Sequence, residues 1–529
     1  MVDSKISKTK ILLYGGHCIL MRCKIIKSIL IPTLVLIICA QSSYALNFNI
    51  FKKKKPPEKT NTDVIATSEN DKNGKKTLSV DECVEYAINN DPNIRISANN
   101  LQIQKSRVGQ AKSDYFPMLG FGTGYNYQYS NSSGFTSSSM WRNASRSNSS
   151  GYYQLNASVN QLIWNFGKTT AGINMQKFNR ESAGYDLDYS ILQTVYNVRV
   201  AYFAVLASLA NVDIYERSVR INTLNYERTK SMFEEGLKSR IDVVNAEVYL
   251  TDAKTQLIDA QYQYDNAMVN LKNAMFYMED NDFSVENTEN FDFLRNNYKM
   301  QTIDIGSIKK NGEDDDFEHS VVLLTSGIQK QDILQNYKFD PYIIDLKEAI
   351  QNAYENRPDL KSLKMIVRAQ EESLKQTKRA WAPEISAGAG YNLRRMDGQS
   401  NTGFTASANL DFPMVNIMDI KYRIDEGKSY LDIAKDNVDL STKNINFEVQ
   451  KYYIAMRRLE KTIPLMADKV RQTLENFELA DGRYAVGLNN FIELQDAQTN
   501  YNNAQLAFVQ SVFDYNVARE EFKKSMGVR

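Results

Sequence analysis

Beyond residue 39 the chain carries one cysteine, Cys83, and one histidine, His319. That excludes an internal disulfide framework and any cage of several cysteines and histidines around a metal in the body of the chain. A nucleophilic triad would have to be built around His319, and His319 lies in "NGEDDDFEHS", which reads as a solvated acidic loop. An excess of charge is also missing. Lys and Arg number 64 against 63 Asp and Glu, so no basic footprint points to nucleic acid. No glycine-rich nucleotide loop occurs. Proline is absent between Pro117 and Pro341, and glycine between Gly184 and Gly236, so nothing in those stretches breaks a helix. After the N-terminal region no segment approaches eighteen uninterrupted apolar residues, which excludes helical membrane spans there. If the body of the chain enters a bilayer, strands must carry it.

The N-terminus does hold an apolar run. In "MRCKIIKSILIPTLVLIICAQSSYA" the basic Arg22, Lys24 and Lys27 precede Ile29–Ala40, and Ser43-Tyr44-Ala45 forms a small-residue cleavage site. Residues 1–45 therefore read as a signal peptide, with Met21 as a second candidate start. Residues 46–77, including "FKKKKPPEKT", read as a polar linker.

The rest of the chain is one pattern used twice. "LSVDECVEYAINNDPNI" from Leu78 and "IDLKEAIQNAYENRPDL" from Ile344 share an ungapped offset of 266. The register carries Glu82 onto Glu348, Pro92 onto Pro358, Pro117 onto Pro383, Gly122 onto Gly388 and Tyr125-Asn126 onto Tyr391-Asn392. A second pair, "FEEGLKSRIDVVNAEVYLTDA" from Phe233 and "YAVGLNNFIELQDAQTNYNNA" from Tyr484, is offset by 251. The chain is a tandem duplication, 78–279 and 341–529, separated by 280–340.

Each half reads as helix, two strands, a long helix, a glycine break and a second long helix. The strands alternate. Leu119, Phe121, Tyr125, Tyr127 and Tyr129 are interleaved with Gly120, Gly122, Gly124, Asn126 and Gln128. The same two-faced pattern recurs at about 152–164, 384–395 and 403–413, with polar connections near 130–151 and 396–402. Segments of about 10 alternating residues suit tilted membrane strands, and four of them cannot close a barrel alone. From Ala246 the spacing is strict: Leu250, Ala253, Leu257, Ala260, Tyr264, Ala267, Leu271, Ala274. Ala497, Tyr501, Ala504, Phe508, Ser511, Tyr515, Ala518 and Phe522 repeat it, which predicts coiled-coil seams. Gly236 and Gly487 would turn each helical hairpin through a positive φ.

Near those turns Asp242 and Asn245, and likewise Glu493 and Asp496, stand six and nine residues after the glycine. Three-residue spacing puts each pair on one helix face. From the residues alone they are either functional or ordinary solvated acids that suit a helix N-terminus.

Together the signal peptide, duplicated halves, two strands per half and the motifs "FEEGLKSRIDVVNAEVYLTDA" and "YAVGLNNFIELQDAQTNYNNA" resemble the TolC family of outer-membrane ducts, over roughly 78–279 and 340–527. "NQLIWNFG" and "LDFPMVNI" look like its strand-to-helix corner, although Leu162 stands where the second half has Pro413. The resemblance implies a mixed α and β protomer of a homotrimer. Long helices form a periplasmic α-barrel, and four strands per copy make a shared twelve-stranded barrel in outer-membrane lipid. It implies a non-enzymatic duct without cofactor or metal. Asp242, Asn245, Glu493 and Asp496 become a periplasmic constriction, and Gly236-Leu237 and Gly487-Leu488 become hairpin tips that meet a periplasmic adaptor. Energy would come from an inner-membrane pump of ABC, RND or MFS type, for multidrug efflux or type I secretion. Residues 280–340 and the chain end would lie at an equatorial belt, with Pro464 breaking a helix there. The rival reading is a surface-associated adhesive coiled-coil protein without channel activity.

Overall fold

The computed structural model describes residues 76–132, 146–278, 283–286, 339–396, 399–413 and 417–529. The signal peptide, nearly all of the 46–77 linker, most of 280–340 with His319, and the loop 133–145 lie outside the described residues.

The first half runs β1 (Lys76–Leu78), α1 (Val80–Asn90), α2 (Pro92–Ser113), β2 (Met118–Ser132), β3 (Arg146–Trp164), α3 (Lys168–Glu234), α4 (Arg240–Met275) and β4 (Phe283–Val285). The second runs α5 (Leu346–Asn356), α6 (Pro358–Lys378), β5 (Glu384–Met396), β6 (Gln399–Asp411), α7 (Ile417–Ala485) and α8 (Phe491–Ser525). Local chemistry sets the boundaries. Ser79 and Glu82 form a reciprocal capping box at α1, with N–H to carboxylate 2.9 Å and N–H to hydroxyl 3.3 Å. Pro92 and Pro358 open α2 and α6 at the first turn, where a missing N–H costs nothing.

β2-β3-β5-β6 form one antiparallel sheet in that order, leaving β2 and β6 as open edges. The ladders extend further than alternation suggested. β3 begins at Arg146 and β6 at Gln399, because backbone pairing such as Met396 with Gln399 is indifferent to polar side chains. One face presents Leu119, Phe121, Tyr125, Tyr153, Leu155, Phe404 and Leu410, all exposed, with Phe121 at 83 %. The other is glycine, serine and amide. At the foot of the sheet the first corner turns sharply without the proline of the second half. Phe166 and Gly167 both take positive φ (55° and 80°), and Asn165 accepts from the Thr169 N–H at 3.3 Å.

α3 has 67 residues and α7 has 69, each about 100 Å long at 1.5 Å per residue. α3 runs against α2 and α6 above and against α4 and α8 below. α7 follows α6 and then α8. The repeats are therefore not two separate bodies, since the first half's long helix packs on α6 and α8 of the second. α3 also contains a window of mean hydropathy 1.3, half of it buried within the protomer, where Tyr202, Val205, Leu206 and Ile214 make the core.

Two expectations need correction. α7 continues unbroken through Pro464. The ring removes one hydrogen bond to the preceding turn, but buried Leu459, Ile463 and Val470 on either side keep both segments packed, and the helix runs on. The polar linker ends sooner than residue 77, because Lys76–Leu78 pair in parallel with Phe283–Val285. Three-residue strands are too short to show a period. This pair sits at mid-length of α3, where the Tyr202 hydroxyl donates to the Leu78 carbonyl (3.1 Å) and to that of Glu286. Opposite it the Tyr342 N–H donates to the Tyr515 hydroxyl at 3.0 Å on α8.

Candidate functional site

Both hairpins turn in the same way. Gly236 and Gly487 have φ of 79° and 78°, and the following N–H reaches back to the last helical turn, Leu237 to the Met232 carbonyl (2.8 Å) and Leu488 to Arg483 (2.9 Å). An L side chain at such a φ clashes with its own backbone, so Gly487→Ala is expected to cost about 1–2 kcal/mol in a chemical unfolding titration while leaving helix content unchanged. Leu237 and Leu488, at 65 % and 73 % exposed, project at the turns.

The acids nearby are not equivalent. Asp242 caps its own helix: its carboxylate accepts from the Ser239 N–H (3.2 Å) and hydroxyl (2.8 Å). It and Asn245 are half-buried. Glu493 and Asp496 are exposed on one face of α8, and the Glu493 N–H is taken by the Asn490 side chain at 2.8 Å, so both carboxylates stay free of capping work. Asp242 and Glu493 both stand in the first turn of their helices, the first as a cap and the second solvated, with Asp496 solvated one turn on, so the local reading of helix-end acids fits both hairpins.

Between the hairpins lies a set of residues that the motif alignment did not single out. Arg228 on α3 meets Asp481 on α7 at 2.8 Å, with both side chains 6 % exposed. One turn nearer the tip the Thr229 and Tyr484 hydroxyls are 2.8 Å apart. Lys238 places its ammonium 4.7 Å from the Tyr484 ring centroid, and Phe491 packs edge-on against the same ring. Burial pushes the Tyr484 hydroxyl up from its ordinary value. The Asp242 carboxylate adds to that and the Thr229 hydrogen bond works against it. Tyr484 therefore stays neutral, and Asp242 is brought within electrostatic range of the second hairpin.

Further from the tip α3 and α8 meet through polar side chains. Gln495 donates to Asn222 (3.0 Å), Asn225 to Gln498 (3.4 Å) and Asn502 to the Ser218 hydroxyl (2.9 Å). The signal was present in the sequence. Ser218, Asn222, Asn225 and Thr229 follow steps of four, three and four, and Gln495, Gln498, Asn502 and Gln505 follow three, four and three. Within each hairpin the heptads are apolar, whereas between hairpins they are polar. Amide pairs hold less strongly than packed aliphatics and exchange with water, so near the tip the seam between the hairpins is held by exchangeable amides and the buried Arg228–Asp481 pair, while Arg199 meets Glu520 at 2.9 Å further along the same seam. Among the described residues no cluster of His, Cys, Asp and Glu could hold a metal ion.

The family model for outer membrane efflux proteins matches residues 83–275 and 349–528. The probable efflux pump outer membrane protein TtgC of Pseudomonas putida is 23% identical over 180 residues, 33% of this chain and 37% of its own. Toxin and drug export protein A of Aggregatibacter actinomycetemcomitans is 22% identical over 169 residues, 31% of this chain and 36% of its own. The chain thus spans little more than a third of the length of the curated relatives it matches. The solved CmeC outer membrane channel of Campylobacter jejuni is alike in fold, with a TM-score of 0.63, 14% identity and 85% of each chain covered.

Proposed function

The chain belongs to the outer membrane efflux protein family and resides in the outer membrane, and from that premise we propose that it is one protomer of a trimeric exit duct. One observation carries the reading: every layer of the protomer has two open edges. In the sheet, β2 and β6 present unpaired backbone, which lipid does not tolerate. Pairing β6 of one copy with β2 of the next removes every edge. Two copies would give eight strands with an interior filled by side chains, and three give twelve around water.

The helices support the same ring. α7 exposes Tyr430, Ile433, Leu440, Phe447 and Ile454 at heptad spacing, and α4 exposes Ile241, Val244, Val248, Ile258, Tyr262 and Val269. α7 is a flank of both helical layers, beside α6 over its first part (Gly427 against Leu374) and beside α8 over its last (Tyr453 against Phe522), and α4 is the opposite flank of the lower layer, so each flank carries apolar side chains where a neighbouring copy would dock. In that arrangement the aromatic face of the sheet meets lipid and the glycine-amide face lines the lumen.

Cargo enters at the hairpin tips. Gly236-Leu237 and Gly487-Leu488, apolar and projecting, suit docking of a periplasmic adaptor, which couples the duct to an inner-membrane pump. The sequence holds no glycine-rich nucleotide loop, so in this reading energy and cargo choice lie with those partners. The relatives' names place them in efflux and in toxin and drug export, and we assign this chain to that class. Glu493 and Asp496, free and one turn above the tip, would make rings of three carboxylates at the constriction, with Asp242 and Asn245 at the junction of the hairpins.

The test is single-channel recording from detergent-purified protein in a planar bilayer. Wild type is expected to give small cation-selective currents that trivalent cations block. Glu493→Ala/Asp496→Ala should lose that block and conduct about threefold more, since charged rings set both selectivity and occupancy. Channels unchanged by the double substitution would move the constriction elsewhere.

A further inference from the structure

The polar face of the sheet carries one feature that a water-filled conduit does not require. Tyr152 is an aromatic side chain on the face built mainly from glycine, hydroxyl and amide residues, and the guanidinium of Arg394 lies 3.5 Å from its ring centroid. The register puts them together. Gly124, Gln154, Arg394 and Asn401 form one row across β2, β3, β5 and β6, and Tyr152 occupies the next position along β3 on the same face. Arg395, one residue on, belongs to the opposite face with Tyr153.

Charge on the polar face is segregated. Among the described side chains its carboxylates are Glu384 and Asp411, paired with each other in register at the helix end of the sheet. Glu384 is further held by Lys168 at 3.0 Å. Ten residues of strand, about 33 Å, separate them from Arg394, well beyond a Debye length of roughly 10 Å. Among the described residues no hydrogen bond or ion pair takes up the guanidinium. Stacking occupies its flat face and leaves its in-plane N–H donors available. Space is available too, since a Cβ added at Gly122 or Gly124 would meet nothing within 4 Å.

We propose that Arg394, held flat by Tyr152 and flanked by the amides of Gln154 and Asn401, is an oxyanion-selective subsite near the outer end of the duct, suited to carboxylate-bearing solutes. It rests on the exit-duct reading. A planar guanidinium pairs with a carboxylate through two parallel N–H···O bonds, which a lysine cannot do. Three copies make one ring of three positive charges, opposite in sign to the Glu493 and Asp496 rings at the other end. The duct then has a cation-preferring entrance and an anion-preferring exit, so a carboxylate that has passed the entrance is attracted onward.

The experiment uses full-length protein carrying Glu493→Ala/Asp496→Ala, so that the entrance does not mask the exit. Reversal potential is measured in bilayers under a tenfold KCl gradient, with citrate then added on the outer side. Arg394→Gln is expected to raise the K⁺/Cl⁻ permeability ratio about two- to fourfold and to abolish citrate block, as a removed charged ring should. Arg394→Lys should keep the ratio and weaken the block, and Arg395→Gln should change neither. An unaltered ratio and block in Arg394→Gln overturns the proposal while the duct stands. If Arg394→Gln fails to assemble, citrate block of undiminished strength in Arg394→Lys overturns it. Absence of channels from every protein overturns the duct reading itself.

Discussion

Arg228→Ala is expected to destabilise the protein by about 3–5 kcal/mol, the cost of leaving a buried ion without its partner. The Asp481 carboxylate is almost wholly enclosed, and Arg228 is its ion-pair partner at 2.8 Å. Removing the guanidinium therefore strands a charge that water cannot reach. Asp481→Ala strands the cation instead and should cost a similar amount. The double variant Arg228→Ala/Asp481→Ala leaves no orphan, and its loss should be smaller than either single loss. Urea unfolding of the detergent-solubilised protein, followed by helix signal, checks all three. Single losses under about 1 kcal/mol would mean that the contact opens to solvent. The pair joins α3 of the first hairpin to α7 of the second, beside an interface of amides rather than aliphatics. The same substitution should thus also loosen the tip, visible as greater open-state occupancy in bilayer recordings.

Phe447→Glu combined with Ile454→Glu is expected to abolish assembly while leaving the single chain folded. Both side chains are exposed on α7, 69 % and 65 %, in the heptad seam that faces away from α6 and α8. Neither belongs to the buried core of the described residues. In a closed ring each meets the flank of the next copy, and burial of unpaired carboxylates there costs several kcal/mol per interface. In the proposed ring the cost recurs at all three interfaces, so a modest local change is expected to abolish the trimer. Size-exclusion chromatography with light scattering should return a single chain with native helix content. A trimer of wild-type stability would show that the seam faces lipid, solvent or another partner.

Much of this architecture is legible as periodicity. The eight seam positions from Ala497 to Phe522 are all buried, as heptad spacing implies. Along α4 the equivalent Leu257, Tyr264 and Ala274 are only half-buried. Local spacing is the same in both helices, but α8 lies between α3 and α7 whereas α4 is a flank. Spacing reports which face of a helix is apolar and cannot report how many neighbours the fold supplies. For the same reason the exposed stripe of α7 is recognisable as an interface only once α6 and α8 are seen to cover its inner stripe.

The candidate site divides along the same line. Gly236, Gly487 and the acids after them stand at aligned positions, because a turn of positive φ and a first helical turn are local events that a short motif encodes. Arg228 with Asp481, Thr229 with Tyr484 and Arg394 with Tyr152 are separated by roughly 240 to 255 residues in the chain. Their polar character could be read, but their partners could not, since pairing depends on how helices pack and strands register over the whole body. By itself the sequence determined the duplication, the long helices, the two-faced strands and the glycine turns, all of which follow from side-chain order within a few turns or pleats. Only the tertiary structure decided which helix became a flank, which polar groups became buried pairs and which strand edges stayed open, because each is a property of contacts between segments far apart in the chain.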